Sequence, residues 1–152
     1  GSTPQLEEAN LKKQLEDMVT YIKKRAPEKV NFRLSLPGDE SVLAAINPPL
    51  FDWVIENLLK NALDAVEGQG EIFIQLKDTP QRIIIDITDN GKGIAKRNIP
   101  VVFKPGFSTK KRGWGLGLSL SKRIIEQYHQ GELFLKQSEP NKATTFRLIL
   151  KR

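Results

Sequence analysis

The 152-residue sequence predicts an α+β fold, a two-layer sandwich in which one mixed, mainly antiparallel sheet is covered by helices on one face. Three observations support this prediction. Strand-like segments come in adjacent pairs, helical segments separate the pairs, and the apolar fraction of 39% is enough for one core. Helices between paired strands need a sheet to pack against, so we expect the helices to share one of its faces.

The first 26 residues form the N-terminal part of the predicted organisation. Gly1-Ser2 is typical of the remnant that tag cleavage leaves, so the natural start is not visible. A helix is predicted over residues 6–25, and Ala26-Pro27 ends it because the residue before proline avoids the helical region. It packs on the domain or forms the end of a coiled-coil-like dimer stalk. Its apolar stripe comprises Leu11, Leu15, Met18 and Ile22.

The next segments alternate strands with a helix. Apolar alternation predicts a strand over residues 29–36, and residues 42–46 form a second, shorter one. Pro48-Pro49 begins a helix that runs to about Val66, because proline suits the first helical turn. Gly68 and Gly70 end it.

The C-terminal half is predicted to hold two strand pairs around a loop and a helix. Residues 71–77 and 82–88 form a hairpin. Residues 89–113 are rich in glycine, lysine and proline, and loops of this length are usually functional. A helix follows over residues 116–128, and strands over 132–137 and 144–150 complete the domain, which we place at residues 27–152.

Composition excludes much common enzyme chemistry. Zero cysteines exclude disulfides and thiolate metal sites, and one histidine, His129, makes a catalytic triad or multi-histidine metal site implausible. We expect His129 to be a surface or helix-end residue. No apolar run reaches the roughly 18–20 residues of a membrane helix. The net charge is +6, but the basic residues are dispersed, so we expect no nucleic-acid partner.

The predicted helix over residues 51–66 carries two amides on one face. Asn57 and Asn61 stand one turn apart, with Lys60 and Asp64 beside them. The plain alternative is a solvated polar face. Asparagine is a poor helix former, however, and a neutral oxygen such as that of Asn61 suits Mg²⁺ that already carries phosphate ligands.

A carboxylate and two glycines follow the strand that ends near Thr88. In Asp89-Asn90-Gly91-Lys92-Gly93-Ile94, the glycines allow the backbone to approach a ligand closely. An ordinary Asn-Gly turn is the alternative. A hairpin turn should lead back into strand alternation, whereas this segment enters the long loop.

Alternating glycines open the last predicted helix. Gly113, Gly115 and Gly117 would expose backbone N–H groups at a helix N-terminus, which attracts anions. The basic run Lys110-Lys111-Arg112 lies just before them. A Rossmann motif does not fit, because no strand directly precedes the glycines.

The three motifs in this order resemble the ATP-binding domain of the GHKL superfamily, which comprises histidine kinases, type II topoisomerase subunits, a family of ATP-dependent chaperones and mismatch-repair ATPases. The resemblance covers roughly residues 30–150. Residues 57–61 are similar to the N box, 89–93 to the G1 box, 103–107 to the F box and 113–117 to the G2 box. The fold implied is the Bergerat-type sandwich.

Position 57 separates the kinase interpretation from the hydrolytic one. Hydrolytic members usually carry glutamate there to activate water, and the amide of Asn57 cannot accept that proton. Glu56 is rotated by about 100° around the helix. Asparagine here, together with Phe103-Lys104-Pro105-Gly106-Phe107, resembles histidine kinases of the nitrogen-regulation type. A hydrolytic GHKL ATPase and a basic nucleic-acid module remain the alternatives.

The resemblance also implies roles for single residues. Asp89 would accept a hydrogen bond from the adenine amino group, and Thr144 would support that aspartate. Asn61 would hold Mg²⁺, while Asn57 and Lys60 would contact the phosphates or the metal's water shell; we expect these three to be the catalytic residues. Phe103 and Phe107 would anchor a lid over the nucleotide. The other residues expected around it are Gly91, Gly93, Ile94, Lys110, Gly113, Gly115, Leu116 and Gly117.

The same resemblance implies the partners. ATP and Mg²⁺ would be bound here, and the γ-phosphate would go to a histidine on a separate dimerisation domain of the same parent protein, with a response regulator downstream. We expect this chain alone to bind ATP without phosphorylating itself. We expect the isolated domain to be a monomer, or a dimer if the N-terminal helix dimerises. We expect it to lie in the cytoplasm, with a membrane-anchored parent protein as one alternative.

Overall fold

The secondary structure of the chain is described for residues 3–38, 40–107 and 117–152 of a computed structural model. These residues form two sheets, three α-helices, one 3-10 helix and one π-helical turn. In chain order the elements are β1 (Glu7–Asn10), α1 (Leu11–Lys23), β2 (Val30–Ser35), β3 (Leu43–Ile46), α2 (Pro48–Val66), β4 (Gly70–Asp78), β5 (Arg82–Asp89), the 3-10 helix (Lys96–Val101), α3 (Gly117–Arg123), the π-helical turn (Ile124–Tyr128), β6 (Glu132–Glu139) and β7 (Ala143–Lys151).

The larger sheet confirms the predicted fold class. Its strand order is β2-β4-β5-β7-β6, with β2 parallel to β4 and every other neighbouring pair antiparallel. Helices cover one face, and alternate residues of each strand point into the core between the layers. The central strands supply the rows of apolar side chains beneath the helices: Ile72, Ile74, Leu76, Ile83, Ile85, Ile87, Phe146, Leu148 and Leu150.

The strand pairing near the N-terminus differs from the prediction. Residues 7–10 are a strand, β1, and not the first turns of a helix, because they pair antiparallel with β3. Strand β3 therefore does not pair with β2, its neighbour in sequence. Strand β2 pairs instead with β4, which follows α2 in the sequence, and the two strands are parallel. Local alternation predicts a strand but cannot name its partner.

Helix α1 packs on the domain. Asn10 begins it by accepting the N–H of Lys12 at 3.1 Å. The predicted apolar stripe faces the shared core, with Met18 partly buried against it. Four α1 side chains are buried in that core: Leu11, Leu15, Val19 and Ile22. Of the two alternatives for this helix, the structure shows the packed one, and the stripe is used within the chain.

Helix α2 has the predicted bounds. Asn47 caps its N-terminus, prolines occupy its first turn, and Glu67 ends it in the left-handed conformation at φ 53°. Seven of its side chains are buried. With these side chains in the core, α2 is the central buried helix of the sandwich.

None of the helices in the described ranges is long and apolar enough to cross a membrane.

The segment from residue 89 to 131 contains more structure than the sequence indicated. A 3-10 helix, Lys96–Val101, lies inside the predicted loop. The last helix changes from α to π geometry at Ile124, and His129 follows its end. His129 ends the helix, which is one of the two predicted alternatives, but it is 6% exposed and therefore not a surface residue. Two hydrogen bonds and the aromatic ring of Phe51 account for its burial.

Ser121 provides a test of the packing between α2 and α3. Its side chain is fully buried, and its Oγ atom has no hydrogen-bond partner in the part of the chain described. A buried hydroxyl without a partner costs about 1–3 kcal/mol. We expect Ser121→Ala to raise the free energy of unfolding by about 1 kcal/mol, measured by urea denaturation. Ser35→Ala, at an exposed strand position, is the control, and a less stable Ser121→Ala protein would contradict the assignment.

Candidate functional site

The polar end of the sheet lies where β5 stops. Asp89, the last residue of β5, pairs in register with Ile72 on one side and Thr144 on the other. Asp89 is 5% exposed and Thr144 is 3% exposed. The next inward-facing residues of the same three strands are apolar. The core therefore ends in a buried carboxylate and a buried hydroxyl, the two groups for which the resemblance predicts an adenine contact and its support.

The Asp89 carboxyl is held by its own turn. Its Oδ1 accepts the N–H of Gly91 at 2.9 Å. Burial raises the pKa of Asp89 to about 6, and the Gly91 hydrogen bond lowers it by less. The Asp89 carboxylate is thus desolvated beyond what the Gly91 hydrogen bond offsets. It is suited to accept a hydrogen bond from a ligand's N–H group.

A chain of hydroxyl contacts joins Thr144 to the glycine-rich segment. The Oγ1 of Thr144 lies 3.0 Å from the Oγ of Ser138, and Ser138 Oγ accepts the N–H of Ile94 at 2.9 Å. Ser138 is a site residue that the sequence analysis missed. The register of the last hairpin, in which Ser138 pairs with Thr144, is the feature that could have identified it. A bulge between Leu135 and Gln137 shifts that register, so regular pairing does not predict the contact.

The two glycines after Asp89 are required by close backbone approaches. A Cβ atom at Gly91 would lie 2.3 Å from the carbonyl oxygen of Ala65, near the C-terminus of α2. The N–H of Lys92 donates to that same oxygen at 3.0 Å. Gly93 has φ +77°, a conformation that favours glycine, and a Cβ there would crowd Pro140 at 3.1 Å. Both glycines thereby allow the segment to lie close to Ala65 and Pro140.

The face of α2 that carries the amides lies between the two glycine motifs. Asn57, Asn61 and Ala65 follow at intervals of four residues and share one face. Gly91 contacts this face at Ala65, and Gly117 contacts it at Asn57, where a Cβ would lie 2.5 Å from the side-chain nitrogen. Asn61 is half-buried between these contacts. The fold thus brings the predicted N-box residues together with parts of both glycine boxes.

Lys60 and Glu56 lie at the border of this face. Lys60 is exposed, and its Nζ pairs with Glu56 Oε2 at 3.2 Å. Glu56 also raises the pKa of Asp52 by charge repulsion, after desolvation and Asp17. Asp52 in turn accepts a hydrogen bond from Gln14 of α1 at 2.9 Å. Glu56 therefore faces α1, on a different side of α2 from Asn57.

The first predicted lid anchor packs on the sheet. The rings of Phe103 and Phe146 lie edge to face with centroids 5.8 Å apart, and Lys122 Nζ lies 4.8 Å from the Phe103 centroid. Phe107 is half-buried, and its N–H donates to the Lys104 carbonyl at 3.2 Å. Four predicted binding residues lie outside the described residues: Lys110, Gly113, Gly115 and Leu116.

The residues present fit a nucleotide and suit a metal that phosphate already coordinates. Asp89 offers a buried acceptor, and the two glycine motifs meet the face of α2 that carries the amides. Residues 3–38, 40–107 and 117–152 contain no group of three or more His, Cys, Asp or Glu side chains placed to hold a metal. A metal here would therefore depend on amide oxygens together with ligand oxygens.

We predict that the Asp89 carboxyl titrates near pH 6 in the free protein. Between its ordinary value of 3.8 and about 6, the folded state holds a proton that the unfolded state has lost. The free energy of unfolding should therefore fall as pH rises through this window. Carbon-detected NMR of the carboxyl group measures the midpoint, and urea denaturation of wild type against Asp89→Asn isolates the effect on stability. A midpoint at or below 4 would contradict the burial described above.

Comparison with known proteins identifies the family. A family model described as histidine kinase-, DNA gyrase B- and HSP90-like ATPase matches residues 47–152. Sporulation kinase E of Bacillus subtilis is 33% identical over 144 residues, which are 89% of this chain and 19% of that protein. The sensor histidine kinase ZraS of Salmonella typhimurium is 42% identical over 94 residues, which are 61% of this chain and 20% of that protein. The chain thus spans about a fifth of the length of these relatives.

A solved structure has the same fold. The nucleotide-free catalytic domain of the histidine kinase ThkA matches with a TM-score of 0.86 at 23% identity, covering 97% of this chain and 95% of that one. The matched family region contains Asn57, Asp89 and Gly117, the residues around which the site is built. The chain belongs to the histidine kinase-, DNA gyrase B- and HSP90-like ATPase family.

Proposed function

We propose that this chain is the ATP-binding catalytic domain of a sensor histidine kinase, which donates the ATP γ-phosphate to a histidine on a separate domain. The observation that supports this most is the amide-bearing face of α2, bounded at Asn57 by Gly117 and at Ala65 by Gly91. ATP use follows from membership of the family. Transfer to a histidine fits the histidine kinases among its relatives.

The described residues divide the work of binding. Asp89 would accept the adenine amino N–H, and the Thr144–Ser138–Ile94 chain would keep the floor of the site rigid. Asn57 and Lys60 would contact phosphate oxygens or the metal's water shell. Gly117, at the start of α3, would place its backbone close to the phosphates. Transfer of a phosphoryl group requires mainly such positioning and charge stabilisation.

Mg²⁺ is the metal that we propose for this site. Bound Mg²⁺ would supply charge neutralisation between phosphate oxygens. Asn61 would contribute its amide oxygen, because it lies on the α2 face between the two glycine contacts and no carboxylate stands at the neighbouring positions 57 and 65 of that face. A neutral amide also leaves the net charge of the metal available to the phosphates.

Phosphate transfer is favoured over hydrolysis by the direction of Glu56. A hydrolytic site needs a base that can take a proton from water, and the amide side chain of Asn57 cannot act as that base. Glu56 pairs with Lys60 and lies on the side of α2 that faces α1. A hydrolytic ATPase module would need a carboxylate on the other side.

The acceptor histidine is proposed to lie outside this chain. His129 is buried, and both of its ring nitrogens have hydrogen-bond partners, so it is unsuited to accept a phosphoryl group. The parent's dimerisation domain would supply the acceptor. A response regulator would act downstream, as suits a family neighbour, ThkA, that is solved in complex with the response regulator TrrA.

Three further expectations are proposals that the packing supports in part. We propose residues 27–152 as the ATP-binding unit and residues 1–26 as a segment docked on it, because α1 shares the core of the sheet. The isolated domain should be a monomer, since the apolar stripe of α1 is used internally. The site should face the cytoplasm, where ATP is available.

Transfer to a separate acceptor domain tests the proposal. With labelled ATP and Mg²⁺, the chain should phosphorylate a histidine on an added dimerisation domain and should not phosphorylate itself. Asp89→Asn should weaken binding of a nonhydrolysable ATP analogue by about 10- to 100-fold, the effect of losing a hydrogen bond to a charged group. Calorimetry measures this affinity.

Glu56→Ala provides the matched control for the same experiment. It should leave nucleotide affinity and transfer near wild type, because Glu56 faces α1. A steady ATPase rate that Glu56→Ala abolishes would instead establish the hydrolytic alternative. Unchanged affinity in Asp89→Asn would refute the adenine contact.

The contact between Gly117 and Asn57 gives a second prediction. A Cβ at Gly117 would overlap the Asn57 side-chain amide, so Gly117→Ala must displace one of the two. We expect about tenfold weaker binding of the Mg²⁺-loaded analogue. Gly38→Ala is the control, because nothing lies within 4 Å of a Cβ there and its φ is not positive. Wild-type affinity in Gly117→Ala would contradict the close approach.

A further inference from the structure

Asn47 connects three segments of the chain. Its Oδ1 caps α2 by accepting the N–H of Leu50 at 3.1 Å. Its Nδ2 donates to the carbonyl of Gln5 at 3.0 Å, and its main-chain N–H donates to Nε2 of His129 at 3.0 Å. We name the pair Asn47 and His129 the α2 junction. It joins the start of α2 to the end of the helix that begins at Gly117.

The hydrogen bonds of His129 determine its tautomer. A main-chain N–H can only donate, so Nε2 must carry a lone pair toward Asn47. Nδ1, 3.0 Å from the carbonyl oxygen of Ile124, therefore carries the proton and donates. The ring is buried and also contacts Phe51 in the first turn of α2, with centroids 6.2 Å apart. A neutral His129 satisfies both partners at once.

The π-helical turn presents His129 to α2. In the π-helical turn, Ile124–Tyr128, the helix is wound more widely than in α3, and His129 follows directly. Its side chain binds the carbonyl of the first residue of that turn. Such turns inside helices often occur at functional positions. Here the turn brings the imidazole to the Asn47 N–H.

The two helices are held together at two points. Gly117 contacts Asn57 near the start of α3, and His129 contacts Asn47 beyond its end. The segment from Asn47 to Asn57 is ten residues, about 15 Å of helix. A shift of α2 along its axis would therefore break the Asn47–His129 hydrogen bond and change the contact between Gly117 and the Asn57 side chain.

We propose that Asn47 and His129 are positioning residues that fix α2 so that Asn57 and Asn61 meet the phosphates and metal. The proposal rests on the proposed function. The junction touches no ligand and acts through the helix. Loss of the His129 acceptor leaves the half-buried Asn47 N–H without its partner, so the start of α2 loses its hydrogen bond to the helix that begins at Gly117. The amides should lose their alignment, whereas the adenine floor at Asp89, which stands on the sheet, should not.

Three variants separate this role from general stability. His129→Phe keeps an aromatic ring but removes the acceptor. His129→Gln can place an oxygen near the position of Nε2 and restore it. Asn47→Asp retains the cap oxygen and the main-chain N–H, and it replaces the donor to Gln5 with a charged acceptor. It is the control at the junction itself.

The readout is the dependence of nucleotide affinity on Mg²⁺. Calorimetry with a nonhydrolysable ATP analogue, with and without Mg²⁺, should show that His129→Phe weakens the Mg²⁺-dependent affinity by about tenfold. Binding without Mg²⁺ should change by less than about twofold, because the adenine floor is separate. His129→Gln and Asn47→Asp should stay near wild type. Thermal melting records the stability of each variant.

Two outcomes would overturn the proposal. One is a Mg²⁺ dependence in His129→Phe that equals that of wild type. The other is a loss in His129→Gln as large as in His129→Phe, which would show that ring shape matters and the acceptor does not. A wild-type chain that binds no nucleotide would refute the proposed function instead.

The tautomer gives an independent test that needs no ligand and no variant. Nitrogen-15 NMR of wild-type His129 should show an unprotonated Nε2 and a protonated Nδ1 at neutral pH. A proton on Nε2 would remove the hydrogen bond from Asn47 and with it the proposal. This measurement remains decisive if His129→Phe does not fold.

Discussion

The site depends on the close approach of two glycine-containing segments to one face of α2. At Ala65 the segment after β5 comes so near that a side chain at Gly91 would overlap the helix backbone, and at Asn57 the start of α3 comes so near that a side chain at Gly117 would overlap the Asn57 amide. Between these contacts the helix presents Asn61. A Cβ atom at Gly91 would overlap backbone atoms, so the approach of the sheet end to α2 requires glycine there, whereas the approach of α3 is limited by the Asn57 side chain.

A second constraint is the polar end of the core. Burying Asp89 without a full set of donors is unfavourable, as its raised pKa shows. Thr144 and Ser138, in contrast, satisfy each other and bind the N–H of Ile94. The fold therefore keeps a desolvated carboxylate, which accepts the Gly91 N–H, in an otherwise neutral row. Such a group reduces the stability of the empty domain, and a ligand that donates to it would recover part of that loss.

Sequence reasoning found most elements but not their partners. The bounds of α2 and the β4–β5 hairpin follow from local signals: prolines at a helix start, glycines at its end, and alternation on both sides of a short turn. The strand at residues 7–10 was missed because its four residues are mostly charged or small, and only pairing with β3 makes them a strand. The burial of His129 was missed for a similar reason, since its partner Asn47 lies 82 residues away.

The sequence by itself determined the fold class and the position of α2, because these depend on periodicity and residue chemistry within short windows. The nucleotide and metal contacts are predictions that the family resemblance supplied. Only the tertiary structure decided that Glu56 faces α1, that Ser138 supports Thr144, and that the π-helical turn brings His129 to the cap of α2. These relations join residues far apart in the chain. They arise from strand register and helix packing, and local patterns carry no information about either.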